Sequence, residues 1–161
     1  MPSTPEPPPR VLVLGGKGFL GQNFLRLYPR AAVGAVDVAD RVAVAALLDA
    51  ERPDVVVNCA GKTGRPNVDW CETHQVETIR ANVVGTLTLA DVCRERGLVL
   101  INYATGCIFE YDDAHPLGSG VGSKEEDIPN FTGSFYSKTK AMVYDPSFLF
   151  PSYSFIVFLL S

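Results

Sequence analysis

Val11-Leu12-Val13-Leu14 runs straight into Gly15-Gly16-Lys17-Gly18-Phe19-Leu20-Gly21, and this junction constrains the fold more than any other stretch of the chain. Four consecutive apolar residues closed by glycine read as a buried strand. Over residues 18–28, apolar side chains at Phe19, Leu20, Phe24, Leu25 and Leu27 follow helical spacing. A strand that turns through glycines into a helix exposes unpaired N–H groups at the helix start, which suit a pyrophosphate. The glycines fit two registers, Gly15-x-x-Gly18-x-x-Gly21 and Gly16-x-Gly18-x-x-Gly21, and either could also serve a plain strand–helix turn.

The pattern then repeats. Residues 31–38 form a plausible second strand, and Asp40 could cap a helix running to about Glu51. Pro53 and Asp54 mark a turn before the strand Val55-Val56-Val57-Asn58. After a loop over residues 61–69, helix signals dominate residues 71–96 until Gly97, and residues 98–103 read as another buried strand. Alternation of this kind predicts an α/β fold, a doubly wound parallel sheet of the Rossmann, NAD(P)-binding type. Residues 1–10, with five prolines, are expected to be a disordered extension, residues 11–143 the dinucleotide domain, and residues 144–161 an atypical apolar tail. A loop over residues 105–132 is long for a compact domain and points to function.

Composition narrows the partners. A net charge of −4 with no basic stripe argues against nucleic acid. The four cysteines, Cys59, Cys71, Cys93 and Cys107, form no Cys-x-x-Cys pair, and with only His74 and His115 beside them no metal site is expected. Nothing resembles a secretory signal, so a reducing, cytosolic setting is the default expectation. A homo-oligomer is compatible with the sequence but not specified by it.

Asp37 lies 22 residues after Gly15, where a carboxylate would meet an adenosine ribose. Alone it favours NAD over NADP, but Arg41 and Lys17 could offset the repulsion of a 2′-phosphate, so the preference stays open. Tyr136 and Lys140 stand four residues apart, one helical turn if the segment is helical. A neighbouring ammonium would favour phenolate and let Tyr136 exchange a proton with a carbonyl or alcohol. Lys140 could also hold a ribose hydroxyl, and Thr105 could donate a second hydrogen bond to the same substrate oxygen. Cys107, two residues beyond Thr105, sits where ligands bind in such sheets, and spacing leaves both a structural and a catalytic reading. Cys59, Cys71 and Cys93 fall in strand or helix patterns and are expected in the core.

Gly15-x-x-Gly18-x-x-Gly21, Asn58-x-Ala60-Gly61, Asn82, Thr105 and Tyr136-x-x-x-Lys140 together resemble the extended short-chain dehydrogenase/reductase family. Residues 64–72, 82–93, 102–111 and 133–143 are similar to plant-type nucleotide-rhamnose synthase/epimerase-reductase, a group that also forms the C-terminal half of plant rhamnose synthases. This resemblance implies 3,5-epimerisation of a UDP- or dTDP-4-keto-6-deoxy-glucose followed by NADPH-dependent reduction at C4, with NADH possible. It implies that Tyr136 is the proton donor, Lys140 its partner and Thr105 the polariser of the C4 carbonyl. Gly15, Gly18, Phe19, Leu20, Gly21, Asp37, Val38, Ala60, Gly61, Lys62 and Asn82 would line the cofactor. Reductases that leave epimerisation to another protein look similar but carry tyrosine at position 107, so the resemblance marks Cys107 as an epimerisation acid/base. GDP-fucose synthases are a more distant alternative, disfavoured by residues 64–72.

Beyond Val143 the resemblance stops. Pro146 would end the helix carrying Tyr136 and Lys140 within two turns, and the family's later strands, second epimerisation lysine and C-terminal substrate domain have no counterpart. The tail is too short and too divided by Pro151 for a membrane span. A native edge strand is a second reading, and a truncated product ending in unrelated sequence is the preferred expectation. On that expectation the chain alone would not turn over a sugar nucleotide, and a catalytically inactive dinucleotide-binding fragment is the alternative.

Overall fold

The computed structural model describes residues 7–124 and 126–144, together with the backbone of residues 155–158. Strand β1 (Val11–Leu14) leads into α1 (Phe19–Leu27), then β2 (Ala32–Gly34), α2 (Arg41–Glu51) and β3 (Val55–Asn58). Helices α3 (Trp70–Thr73), α4 (Gln75–Ile79) and α5 (Gly85–Glu95) precede β4 (Val99–Tyr103). Helix α6 (Phe135–Ala141) follows the long loop, and β5 (Phe155–Phe158) closes the sheet. All pairings are parallel in the order β2-β1-β3-β4-β5.

That order reverses direction once. The chain steps from β1 outward to β2, then returns past β1 to β3 and continues to β4. With right-handed crossovers, the reversal places α1 and α2 on opposite faces of the sheet. Leu12, Leu14, Val56 and Leu100 pack with Val44 and Leu48 of α2 and Leu89, Val92 and Cys93 of α5 in one core layer. Strand alternation sends Val13 and Val57 to the other face, where both are fully buried. Strands buried on both sides explain the nearly continuous apolar runs seen in the sequence.

Local chemistry sets several boundaries. Asp40 caps α2 by accepting from the N–H groups of Val42 and Ala43, each at 3.1 Å, and Arg52 ends the helix in a left-handed conformation. The second strand is shorter than its apolar pattern, stopping at Gly34, so Asp37 lies in the turn beyond it. The expected helix over residues 71–96 is interrupted: the chain breaks at His74 and resumes through a π-helical turn at Arg80–Val84. Such a turn inserts an extra residue, which helical periodicity cannot register.

Over residues 155–158 the backbone forms an edge strand, where Leu100 pairs with Phe155 and Tyr103 with Phe158. The expectation that no further strand of the sheet follows α6 is corrected accordingly. Parallel β5 satisfies hydrogen-bonding groups of β4 that would otherwise face an open edge. The other residues of the expected tail beyond Tyr144, like residues 1–6 of the Pro-rich start, lie outside the described residues. Pro9 and Arg10 are tied down, Pro9 accepting from the Tyr28 hydroxyl and Arg10 donating to Asp54. No helix among the described residues is long and apolar enough to cross a membrane.

Candidate active site at the carboxyl ends of the strands

The direction of winding reverses between β1 and β3, and open α/β sheets place their ligands at such a point. Gly15, directly after β1, has φ +76° and lies against the backbone following β3: a Cβ there would come within 2.5 Å of the Ala60 nitrogen. The Gly18 N–H donates to the Gly15 carbonyl at 2.9 Å, and a Cβ on Gly21 would collide with the same carbonyl. The Gly15-x-x-Gly18-x-x-Gly21 register is therefore the one that closes the turn. No side chain caps the α1 N-terminus beside this turn, which leaves its first N–H groups without a side-chain partner. Phe19 and Leu20 open α1, with the Phe19 ring 83% exposed.

Asp37 accepts from the Ala39 N–H at 2.9 Å and from the Arg80 guanidinium at 3.2 Å. The Ala39 bond first, then Arg80, hold its carboxyl below the usual carboxylate range. Of the two cations that could offset the repulsion, Lys17 and Arg41, Arg41 is engaged elsewhere, with Asp91 and Glu95 of α5. Arg80 stands beside Asp37 instead. Nothing local could reveal it, because the two lie 43 residues apart. Val38 is buried, packed where a Cβ on Gly85 would strike it.

A second cluster lies beyond β3. Asn58, paired in register with Asn102, donates to that amide at 2.8 Å and accepts from the Ala60 N–H at 3.1 Å. The π-helical turn carries Asn82 inward, 1% exposed, where its amide binds both backbone groups of Lys62. Asn82 also donates to the Thr139 hydroxyl, which donates to the Tyr136 carbonyl. A Cβ on Gly61 would meet Asn82 Oδ1 at 3.3 Å and Lys140 Nζ at 3.4 Å. Gly61, Lys62, Asn82 and Lys140 are thus brought together. Lys140 Nζ donates to the Tyr103 carbonyl at 3.4 Å, and burial pushes the ammonium down to about 8.

Tyr136 is 6% exposed, and its phenol is held above the usual tyrosine range by burial, with a Thr105 hydrogen bond pulling the other way. The expected lowering by a neighbouring Lys140 ammonium is corrected: desolvation governs both groups, in opposite directions. A phenol held in this direction stays protonated at neutral pH. Thr105 accepts from the Cys107 N–H at 3.2 Å, which occupies a lone pair and leaves its own proton to donate. Cys107 sits in a 3₁₀ turn with its side chain exposed, whereas Cys71 and Cys93 are buried and Cys59 is only half-buried at the end of β3.

Two residues missed in the sequence hold α6 in place. Ser134 caps it, accepting from the Ser137 N–H at 3.0 Å, and Glu72 of α3 accepts from the Phe135 N–H at 2.6 Å. The Ser134 cap just before the Tyr-x-x-x-Lys segment was legible as a helix start signal; the Glu72 contact, across 63 residues, was not.

Comparison with known proteins follows the same line. The family model described as RmlD substrate binding domain matches residues 9–143. The chain is 62% identical over 136 residues to a bifunctional dTDP-4-dehydrorhamnose 3,5-epimerase/dTDP-4-dehydrorhamnose reductase of Arabidopsis thaliana, covering 82% of this chain and 45% of that one. It is 57% identical over 145 residues to a trifunctional UDP-glucose 4,6-dehydratase/UDP-4-keto-6-deoxy-D-glucose 3,5-epimerase/UDP-4-keto-L-rhamnose-reductase of the same plant, covering 87% of this chain and 22% of that one. The chain therefore spans less than half the length of these curated relatives. Among solved structures, the UDP-rhamnose synthase from Acanthamoeba polyphaga mimivirus superposes with a TM-score of 0.78 at 28% identity, over 94% of this chain and 54% of that one. A dTDP-4-dehydrorhamnose reductase from Bacillus anthracis, solved with NADP, shares the fold with a TM-score of 0.74 at 17% identity, over 97% and 54% of the two chains.

Proposed function

Because the chain belongs to the RmlD substrate binding domain family, we propose that it forms the cofactor-holding and proton-donating part of an NADPH-dependent 3,5-epimerase/4-reductase acting on UDP- or dTDP-4-keto-6-deoxy-glucose. The observation that carries this reading is the convergence of three separate segments at the carboxyl ends of the strands. They are the Gly15–Gly21 cradle, the Gly61–Asn82–Lys140 cluster and the Thr105–Tyr136 pair. The cradle suits a dinucleotide: side chains at Gly15 and Gly21 would fill it, and the uncapped start of α1 offers N–H groups to a pyrophosphate.

When bound, the dinucleotide supplies the hydride. The residues of this chain do the rest. Lys140, beside Gly61, would hold a ribose hydroxyl, and Asn82 keeps the Lys62 backbone in place around it. Thr105 donates a hydrogen bond to the C4 oxygen, and Tyr136, protonated because it is buried, gives that oxygen its proton as negative charge develops there. Cys107, exposed two residues beyond Thr105, removes and returns protons at the ring carbons next to the ketone. Arg80 supports NADPH over NADH, since its guanidinium can turn from Asp37 to a 2′-phosphate.

The test is direct. The chain is titrated with NADPH and NADH by fluorescence, then mixed with NADPH and UDP-4-keto-6-deoxy-glucose in deuterated water. Saturable NADPH binding and deuterium at C3 or C5 that disappears in Cys107→Ser support the reading. Failure to bind either dinucleotide would sink it.

A further inference from the structure

Cys107 is held at both ends of its backbone by the groups around it. Its N–H donates to the Thr105 hydroxyl at 3.2 Å, and its carbonyl accepts from the Ser137 hydroxyl at 2.6 Å. Ser137 is 1% exposed and follows Tyr136 directly on α6. Its hydroxyl in turn accepts from the Ser134 hydroxyl at 2.9 Å, so its own proton is committed to the Cys107 carbonyl. A short chain of hydroxyls thus runs from the helix cap to the turn that carries the thiol.

We infer that Ser137 is a positioning residue for Cys107, tying the thiol-bearing turn to the helix that carries Tyr136 so that one rigid element places both groups. This rests on the proposed role of Cys107 in the epimerisation. The geometry explains why a hydroxyl is needed there. The turn is only Gly106–Ile108: its far end is anchored by buried Ile108, whose carbonyl accepts from the Phe131 N–H, while the exposed Cys107 between is held by the Thr105 and Ser137 hydroxyls. A hydrogen bond made by a buried hydroxyl to the Cys107 carbonyl restrains the turn without blocking the thiol. Because Ser137 and Tyr136 are neighbours in sequence, a shift of α6 would carry both together, preserving the distance between acid and thiol.

The test reads the thiol itself. The full chain is alkylated with iodoacetamide and the rates at Cys107, Cys59 and Cys71 are followed separately by peptide mass spectrometry. Ser137→Ala should change the Cys107 rate by about fivefold, the size expected for one lost hydrogen bond, with Cys59 and Cys71 unchanged. Ser137→Thr, which keeps the hydroxyl, should return Cys107 to the wild-type rate. A Cys107 rate in Ser137→Ala within about 1.5-fold of wild type, below the roughly twofold that even the weakest such bond would give, overturns the inference, as does failure of Ser137→Thr to restore it. If Ser137→Ala does not fold, shown by all three thiols reacting together, the decision passes to Ser134→Ala. That variant removes the hydroxyl orienting Ser137, and Cys107 alone must then change by about twofold; no change refutes the inference. Alkylation needs neither cofactor nor sugar, so a negative result here is distinct from failure of the deuterium assay.

Discussion

The side-chain amide of Asn82 closes a two-bond ring with the backbone of Lys62, accepting from its N–H at 2.7 Å and donating to its carbonyl at 2.9 Å. Twenty residues separate them, and the ring exists only because the π-helical turn rotates Asn82 toward the loop after β3. Replacing it with alanine leaves two part-buried backbone groups of Lys62 without this partner and takes one of its two hydrogen bonds from the buried Thr139 hydroxyl. Asn82→Ala should therefore cost about 2–3 kcal/mol in urea unfolding and weaken NADPH binding as well. A variant that unfolds like wild type would show that the ring contributes nothing.

Lys140 is expected to trade stability for function. Its ammonium falls to about 8 through burial, so between about pH 8 and 10.5 the unfolded chain binds more protons than the folded one. The Lys140 contribution to the stability of the cofactor-free protein should rise with pH across that window, because its desolvation cost is complete below it and gone above it. Lys140→Met should be more stable than wild type at pH 7 by on the order of 2 kcal/mol, the difference shrinking as pH approaches 10.5. Unfolding curves at pH 7 and pH 10 check this. The Cys59 and Cys93 thiols and the Tyr103 and Tyr136 phenols, all raised by desolvation, oppose this rise but are common to both proteins and cancel in the comparison.

Arg80 and Asp37 should decide between the two dinucleotides. Arg80→Ala is expected to weaken NADPH binding about tenfold while leaving NADH within about twofold, since only NADPH carries the 2′-phosphate. Asp37→Ala should move NADPH the other way. Equal losses for both cofactors in Arg80→Ala would remove Arg80 from the site.

Tyr136→Phe keeps the ring and its burial but removes the hydroxyl proposed as the acid. Folding and NADPH binding should stay near wild type, whereas any reduction of the 4-keto sugar should fall by a factor of at least 10². Any deuterium exchange at C3 or C5 should persist, because the proposed function assigns that step to Cys107. Loss of both together would mean the two chemistries share one residue.

Gly15 offers the sharpest steric test. Alanine there meets both an unfavourable φ of +76° and the Ala60 nitrogen at 2.5 Å. Gly15→Ala should destabilise the protein by about 2 kcal/mol or more and abolish dinucleotide binding, read by thermal melting and fluorescence titration.

Local signals in the chain determined the alternation of strands and helices, the glycine turn, the Asp40 cap and the Tyr136-to-Lys140 spacing. Each is encoded within a few residues: apolar runs, a capping carboxylate, a turn that admits no Cβ. Sheet order, the inward turn of Asn82, the pairing of Arg80 with Asp37, the Glu72 bond to α6 and the clamp of Ser137 on Cys107 were decided only by tertiary structure. The ionisation of the site was decided there too. An ammonium one turn from a phenol suggests mutual support in sequence, but in the fold both groups are buried, and desolvation raises the phenol while lowering the amine. Partners 20 to 63 residues apart meet only after the strands have paired, so no window of sequence contains them.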